Sequence, residues 1–215
     1  MVRMGRLVTG KGQLAVILSG LKGFEKPKVR QEQYTTEPEI AADILWKAYM
    51  LGDIEKKEVA DLGAGPGSLG IGALLLGASE VNFIENDKNA LEIAKKNFAK
   101  VKSEGLIAGN MAEFKLIDVK SFKERINTVF QNPPFGVKSR GADRKFLEKA
   151  AEIAEMVYSI HKSETEGFVV KFMISKGFKL THIWKYSLGL KATLKYHIRR
   201  IKRIRVSCFR FSLIK

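Results

Sequence analysis

Alternating strand-like and helix-like segments predict an α/β fold, with a mostly parallel sheet covered by helices on both faces. Short runs such as 58–61, 81–85 and 127–131 read as strands, and segments of helical period lie between them. Turn signals follow two of these runs directly: Asp61-Leu62-Gly63-Ala64-Gly65-Pro66-Gly67 and Asn132-Pro133-Pro134-Phe135. In such folds ligands bind beyond the carboxyl ends of the strands, so both turns are expected to face one crevice. The 215 residues suit one domain, 1–215, with a short N-terminal helical extension over 1–30.

Each element has a local reason. Residues 11–22 form a short amphipathic helix; the run Leu14-Ala15-Val16-Ile17-Leu18 is too brief for a membrane span and lacks a signal-peptide cleavage site. Gly23-Phe24-Glu25-Lys26-Pro27-Lys28 is an extended connection. Thr36-Glu37-Pro38-Glu39 has the form of a capping box and opens a helix carrying Ile40, Ile44, Leu45 and Ala48, which stops near Gly52. Glu58–Asp61 is the first strand, Ser68–Leu76 a helix of small residues, and Val81–Glu85 the second strand. Asp87 caps a helix over Lys88–Lys100, and a short third strand is expected near Leu106–Ala108. Asn127–Gln131 is the next strand, and Asp143 is expected to cap a helix through Phe146, Leu147, Ala150, Ala151 and Ala154. Strand, helix and strand then repeat, with Gly177 at a helix end and a last strand near Val206–Leu213.

Composition narrows the class of partner. The net charge of +15 points to a polyanion, with nucleic acid the first candidate. Lys191, Lys195, Arg199, Arg200, Lys202, Arg203 and Arg205 concentrate that charge near the C-terminus as a candidate phosphate-binding stripe. The single cysteine, Cys208, excludes an internal disulfide and fits a cytoplasmic location. His161, His182 and His197 lack the close spacing of a metal site, so no metal is expected.

The glycine turn is the candidate cofactor site. Glycines permit a tight turn and close backbone approach to a ligand. A dinucleotide site requires Gly-x-Gly-x-x-Gly, whereas Gly63, Gly65 and Gly70 have a longer second interval, and Pro66 removes an N–H. The acid-Leu-Gly-x-Gly pattern fits the methionine end of S-adenosylmethionine better, with Asp61 facing its ammonium group. Glu85, ending the second strand, is placed to grip a ribose diol. Asn110, after the expected third strand, is the candidate adenine contact.

The Asn-Pro-Pro-aromatic turn suits methylation of a planar, weakly nucleophilic NH2 group. The Asn132 side-chain oxygen and the Pro133 carbonyl offer two acceptors for its two hydrogens. Pro133 and Pro134 stiffen the turn and carry no N–H donors. Phe135 offers a ring for stacking. A nucleobase and a protein glutamine amide pose the same problem, so a glutamine-N5 methyltransferase of the release-factor type is an alternative. A non-catalytic RNA-binding ribosome-assembly protein is a second.

With these residues in place, the chain resembles the archaeal and eukaryotic family of small-subunit rRNA adenine-N6 methyltransferases, the methyltransferase-like protein five type. The resemblance runs through Gly23-Phe24-Glu25-Lys26-Pro27-Lys28, Glu32-Gln33-Tyr34-x-Thr36, Asp61-Leu62-Gly63-x-Gly65, Asn132-Pro133-Pro134-Phe135-Gly136, Gly141-x-Asp143-x-x-Phe146-Leu147 and Val157-Tyr158-Ser159-Ile160-His161-Lys162. It implies a Rossmann-like class I methyltransferase: a mostly parallel seven-stranded sheet with an antiparallel last strand. It implies that Gln33, Tyr34 and Thr36 close over S-adenosylmethionine, that Asp61, Gly63 and Gly65 hold its methionine end, and that Glu85 and Asn110 hold ribose and adenine. Asn110 departs from the acid usual in the family. It further implies that Asn132 and Pro133 grip the target N6 while Phe135 stacks on the base. The implied partners are rRNA and a small zinc-containing activator protein.

Overall fold

The structure, a computed structural model, describes residues 8–25, 33, 35–107, 109–135, 142–190 and 202–214. Its helices are α1 (Lys11–Ser19), α2 (Pro38–Met50), α3 (Ser68–Leu75), α4 (Lys88–Ser103), α5 (Ala142–Ile153) and α6 (Glu166–Ser175). Its strands are β1 (Glu58–Leu62), β2 (Glu80–Glu85), β3 (Met111–Leu116), β4 (Ile126–Gln131), β5 (Ala154–Lys162), β6 (Phe178–Leu190) and β7 (Lys202–Leu213). The strands form one seven-stranded sheet in the order β3-β2-β1-β4-β5-β7-β6. The first five positions pair in parallel, and β7 runs antiparallel between β5 and β6. The expected α/β class and the antiparallel last strand are both present. No helix among the described residues is long and apolar enough to cross a membrane.

Two apolar layers hold the sheet. On one face Leu14, Leu18, Ile44, Leu45, Ile71 and Phe130 belong to a buried cluster fed by α1, α2 and α3. On the other, Leu62, Val129, Leu147, Val157, Val169 and Phe209 form a second cluster beneath α5 and α6. Neighbouring residues of one strand serve opposite clusters, as the period of two demands. Polar pins supplement the packing. Asp53, before β1, accepts from Arg210 Nε (2.7 Å) and Nη2 (3.1 Å) and from the Tyr158 hydroxyl (2.5 Å). Tyr186 of β6 donates to Asp43 of α2 at 2.8 Å.

Several local expectations are corrected. Leu106-Ile107 is not a strand: Leu106 N–H bonds the Val101 carbonyl (3.2 Å) and Gly105 N–H that of Lys102 (3.0 Å), with Gly105 at φ 73°. That is the Schellman ending of α4, in which an apolar residue past the glycine packs back on the helix. The third strand is Met111–Leu116, an edge strand whose charged Glu113 and Lys115 disguise it. Thr36 does not cap α2; the N-cap is Glu37, with no side-chain cap bond. Asp143 lies inside α5, where its Oδ1 accepts from the Arg144 N–H, and Ala154 already belongs to β5.

Gly70 shows how tightly α3 sits on the sheet. A Cβ there would stand 2.3 Å from Cε1 of Phe83, a ring that is itself stacked on Phe114 at 4.6 Å. Gly70→Ala should therefore destabilise the fold by about 1–3 kcal/mol through overpacking, read as a lower urea midpoint; an unchanged midpoint would show that the ring yields freely.

Candidate active site

The sheet order reverses between β1 and β4, so their carboxyl ends form the switch point where doubly wound folds bind ligands. Register aligns Leu62 of β1 with Gln131 of β4 and with Ile84 of β2. The glycine turn, the Asn-Pro-Pro-Phe turn and Glu85 are therefore brought together, as the sequence led one to expect.

Gly63, Gly65 and Gly67 all have left-handed φ, at 70°, 53° and 87°. Gly67 precedes α3 without a capping side chain. Asp61 supplies the missing acceptor from below, its Oδ2 taking the Gly70 N–H at 2.8 Å. Burial pushes this carboxyl up to about 7, opposed by the Gly70 N–H and reinforced by the negative charge of Glu85. Glu85 closes the turn: Oε2 accepts from Gly65 N–H (2.9 Å), and Oε1 from Asn86 (2.8 Å) and Asp87 (2.9 Å) N–H. A carboxylate has about four lone-pair sites, so one is left for a ligand.

Phe24 lies over the turn, where a Cβ on Gly65 would meet its Cζ at 2.8 Å. A cavity of about 340 Å³ beside it is lined by Phe24, Gln33, Thr36, Pro66, Ser68 and Gly189 among others. Gln33 donates to Asp87 at 2.8 Å, and Asp87 in turn caps α4 through the Asn89 N–H. Tyr34 lies outside the described residues.

Asn132 follows β4 directly. Its Nδ2 donates to the Thr36 hydroxyl at 3.0 Å, while its Oδ1 is buried and has no hydrogen-bond partner among the described residues. Leaving a buried acceptor unpaired costs about 1–3 kcal/mol, so an orphan of this kind calls for an explanation. Phe135 departs from an open stacking platform: it is 8% exposed and belongs to the buried cluster.

Against this geometry, known proteins give a consistent comparison. The family model described as Conserved hypothetical protein 95 matches residues 43–174. The rRNA N(6)-adenosine-methyltransferase Mettl5 of Drosophila melanogaster is 35% identical over 213 residues, spanning 98% of this chain and 99% of its own. The METTL5 enzyme of Danio rerio is also 35% identical, over 93% of this chain and 97% of its own. The crystal structure of a candidate RNA methyltransferase from Pyrococcus horikoshii superposes with a TM-score of 0.87 at 44% identity, covering 97% of this chain and all of that one. The chain belongs to the METTL5 family.

Family membership sharpens one correction. Asn110 precedes β3 at the amino end of the sheet, where its Nδ2 bonds the Ala78 carbonyl. It stands at the wrong end of its strand for an adenine contact at the switch point. The acid at the right end is Asp118, two residues beyond β3, beside Ile117, whose N–H bonds the Glu85 carbonyl at 3.1 Å. Its carboxylate caps the following turn through the Lys120 N–H (2.9 Å) and is exposed. The signal was present in the absence of the family's usual acid at Asn110, together with the alternating 111–116 run.

Of the basic segment, Lys195, Arg199 and Arg200 lie outside the described residues, and Lys202 is described only through its pairing with Leu190. Arg203 bonds the Ser187 hydroxyl (3.1 Å) and carbonyl (3.0 Å) and stands 3.8 Å from Glu37. Glu37 also accepts from the Gly189 N–H. The β6–β7 hairpin is thus fastened beside Thr36, at the edge of the site.

Because Asp61 has a raised folded-state pKa, its contribution to stability is full below its unfolded value near 3.8 and is lost as pH rises through about 7. Asp61→Asn keeps an acceptor for Gly70 without the charging cost. Its stability should exceed wild type increasingly between pH 5 and 8, by up to about 4 kcal/mol, in urea titrations; parallel pH profiles would rule out the buried charge.

Proposed function

We propose that this protein transfers a methyl group from S-adenosylmethionine to the exocyclic N6 of an adenine in small-subunit rRNA. The observation that carries the reading is the orphaned Oδ1 of Asn132 at the switch point of the sheet. Most buried acceptors are paired within the fold, so a stiff acceptor left unpaired beside a cofactor turn fits a substrate N–H. The METTL5 relatives support adenine N6, and the net charge of +15 supports RNA over a protein amide.

The residues present suit the cofactor. Asp61 is a buried carboxyl whose charge lacks a cationic partner among the described residues, which the ammonium group would supply. Glu85 retains one acceptor site for a ribose hydroxyl. Asp118, in place of Asn110, is the candidate adenine contact. Gln33 and Thr36 line the cavity beside the turn, and Tyr34 completes that set from the sequence. The glycines admit close backbone approach, which needs the Phe24 ring to move off Gly65.

S-adenosylmethionine, when bound, supplies an electrophilic methyl with a good leaving group, which leaves positioning as the protein's main task. Thr36 fixes the Asn132 amide through Nδ2, leaving the buried Oδ1 to accept from an entering base, and the Pro133 carbonyl adds a second acceptor. Together they take both hydrogens of one NH2 group and stabilise the positive charge that grows on N6. The proton leaves after transfer, when the nitrogen is strongly acidic. Unstacking the base costs a few kcal/mol. Stacking on Phe135 offsets part of this once the neighbouring side chains part, since the ring is otherwise buried. Lys195, Arg199, Arg200, Lys202 and Arg203 supply phosphate contacts that set register. A zinc-containing activator protein has a candidate seat on edge strand β3, where Met111 and Leu116 are about half exposed.

Mass-spectrometric nucleoside mapping of rRNA after incubation with enzyme and cofactor should reveal N6-methyladenosine. A parallel assay on a release factor tests the amide alternative. Asn132→Ala should lower kcat at least a hundredfold while cofactor affinity stays within about threefold; normal turnover by that variant would sink the mechanism. Affinity for S-adenosylmethionine should rise as pH increases toward about 7 and then level off, because the ionised Asp61 is the binding form. Calorimetry across that range checks it, and a flat profile would remove Asp61 from the ammonium site.

A further inference from the structure

The Tyr-Ser-Ile-His-Lys run of β5 pairs with β4 and leads to Gln131, the residue before Asn132. Gln131, the last residue of β4, is completely buried. Its Nε2 donates to the Ser159 hydroxyl at 2.9 Å, and Ser159 Oγ lies 2.5 Å from His161 Nε2. Ser159 is completely buried and His161 only 1% exposed. Ser159 Oγ accepts from Gln131 and shares one further hydrogen bond with His161 Nε2, whose direction is set by the tautomer of the ring. Burial favours the neutral form of the ring, pushing the imidazole down to about 3. The Phe209 ring meets the imidazole edge-on at 6.1 Å.

This arrangement is poor as packing alone. Among the described residues Gln131 Oε1 is another buried acceptor without a partner, where an apolar side chain of the same size would leave none. Its value lies in direction. Successive residues of a strand face opposite sides of the sheet, so Asn132 is gripped by Thr36 on one side while its neighbour is tied to β5 on the other. Pro133 and Pro134 prevent adjustment further along.

We propose that Ser159 and His161 are positioning residues for methyl transfer, acting through Gln131 to hold the end of β4, and so Asn132 Oδ1, at the transfer position. This rests on the reading of Asn132 as the N6 acceptor.

Gln131→Met tests it, because the substitution removes the tether and the unpaired oxygen together. The expected result is a kcat at least tenfold lower, with the Kd for S-adenosylmethionine and the KM for RNA within twofold of wild type and a Tm no lower. Ser159→Ala should lower kcat similarly. A wild-type kcat in Gln131→Met, or a fall in kcat matched by a fall in Tm, overturns the proposal. A readout independent of turnover is the Asn132 side-chain amide signal in NMR, identified by its loss in Asn132→Ala. It should be sharp in wild type and shifted or exchange-broadened in Gln131→Met, and an unchanged signal overturns the tether. If wild type methylates no rRNA, the functional reading fails, and the amide signal still decides whether β5 holds Asn132 in place.

Discussion

The parallel pairing of β1 with β4 is the constraint on which the site depends. Crossovers from β1 run one way through β2 and β3, and the chain then returns to place β4 on the other side. Helices must cover both faces of such a sheet, so no helix can fill the gap above the pair. Register sets Leu62 against Gln131, and the residues after each, Gly63 and Asn132, enter the same crevice. A slip of one residue would turn the Asn132 side chain to the opposite face, away from Thr36. Burial on both faces of the sheet makes that slip costly, because it would also exchange the two apolar layers.

Around that crevice the protein keeps polar groups in states that folding alone would disfavour. Asp61 is a buried carboxyl with one backbone donor, and its ionised form lacks a cation among the described residues. Asn132 Oδ1 and Gln131 Oε1 are buried without partners. Three glycines hold left-handed backbone that other residues adopt at a cost. Elsewhere the polar groups are well matched: Asp53 receives Arg210 and Tyr158, and Asp43 receives Lys11, Lys47 and Tyr186. Of the three buried side-chain atoms without a partner among the described residues, the third, Asn82 Oδ1, lies within β2, and the two gathered at the switch point fit a binding and reaction site.

Legibility varied with how local the controlling physics was. The helices at 38–50 and 88–103 were readable because period, Pro38 and the Asp87 cap act within one or two turns. The strands before the two diagnostic turns were readable because turn chemistry marks their ends. Leu106-Ile107 misled, since two apolar residues after a glycine look alike in a strand and in a Schellman ending until the Val101 bond is seen. That error moved the end of β3 and, with it, the candidate adenine contact from Asp118 to Asn110. Thr36 misled in a similar way: its hydroxyl suits a helix cap, but Asn132, 96 positions away in the chain, uses it instead.

By itself, the order of residues determined the α/β class, the glycine turn, the acceptor turn at 132–135 and the strongly basic character of the chain, because each depends on short-range chemistry or on summed charge. Only the tertiary structure decided that Glu85 closes the glycine turn, that Phe135 is buried, that Asp118 and not Asn110 stands at the carboxyl end of β3, and that Ser159 and His161 join Gln131, the residue before Asn132. Those facts rest on register between strands distant in sequence and on which lone pairs remain after folding. No local pattern in the chain encodes either one.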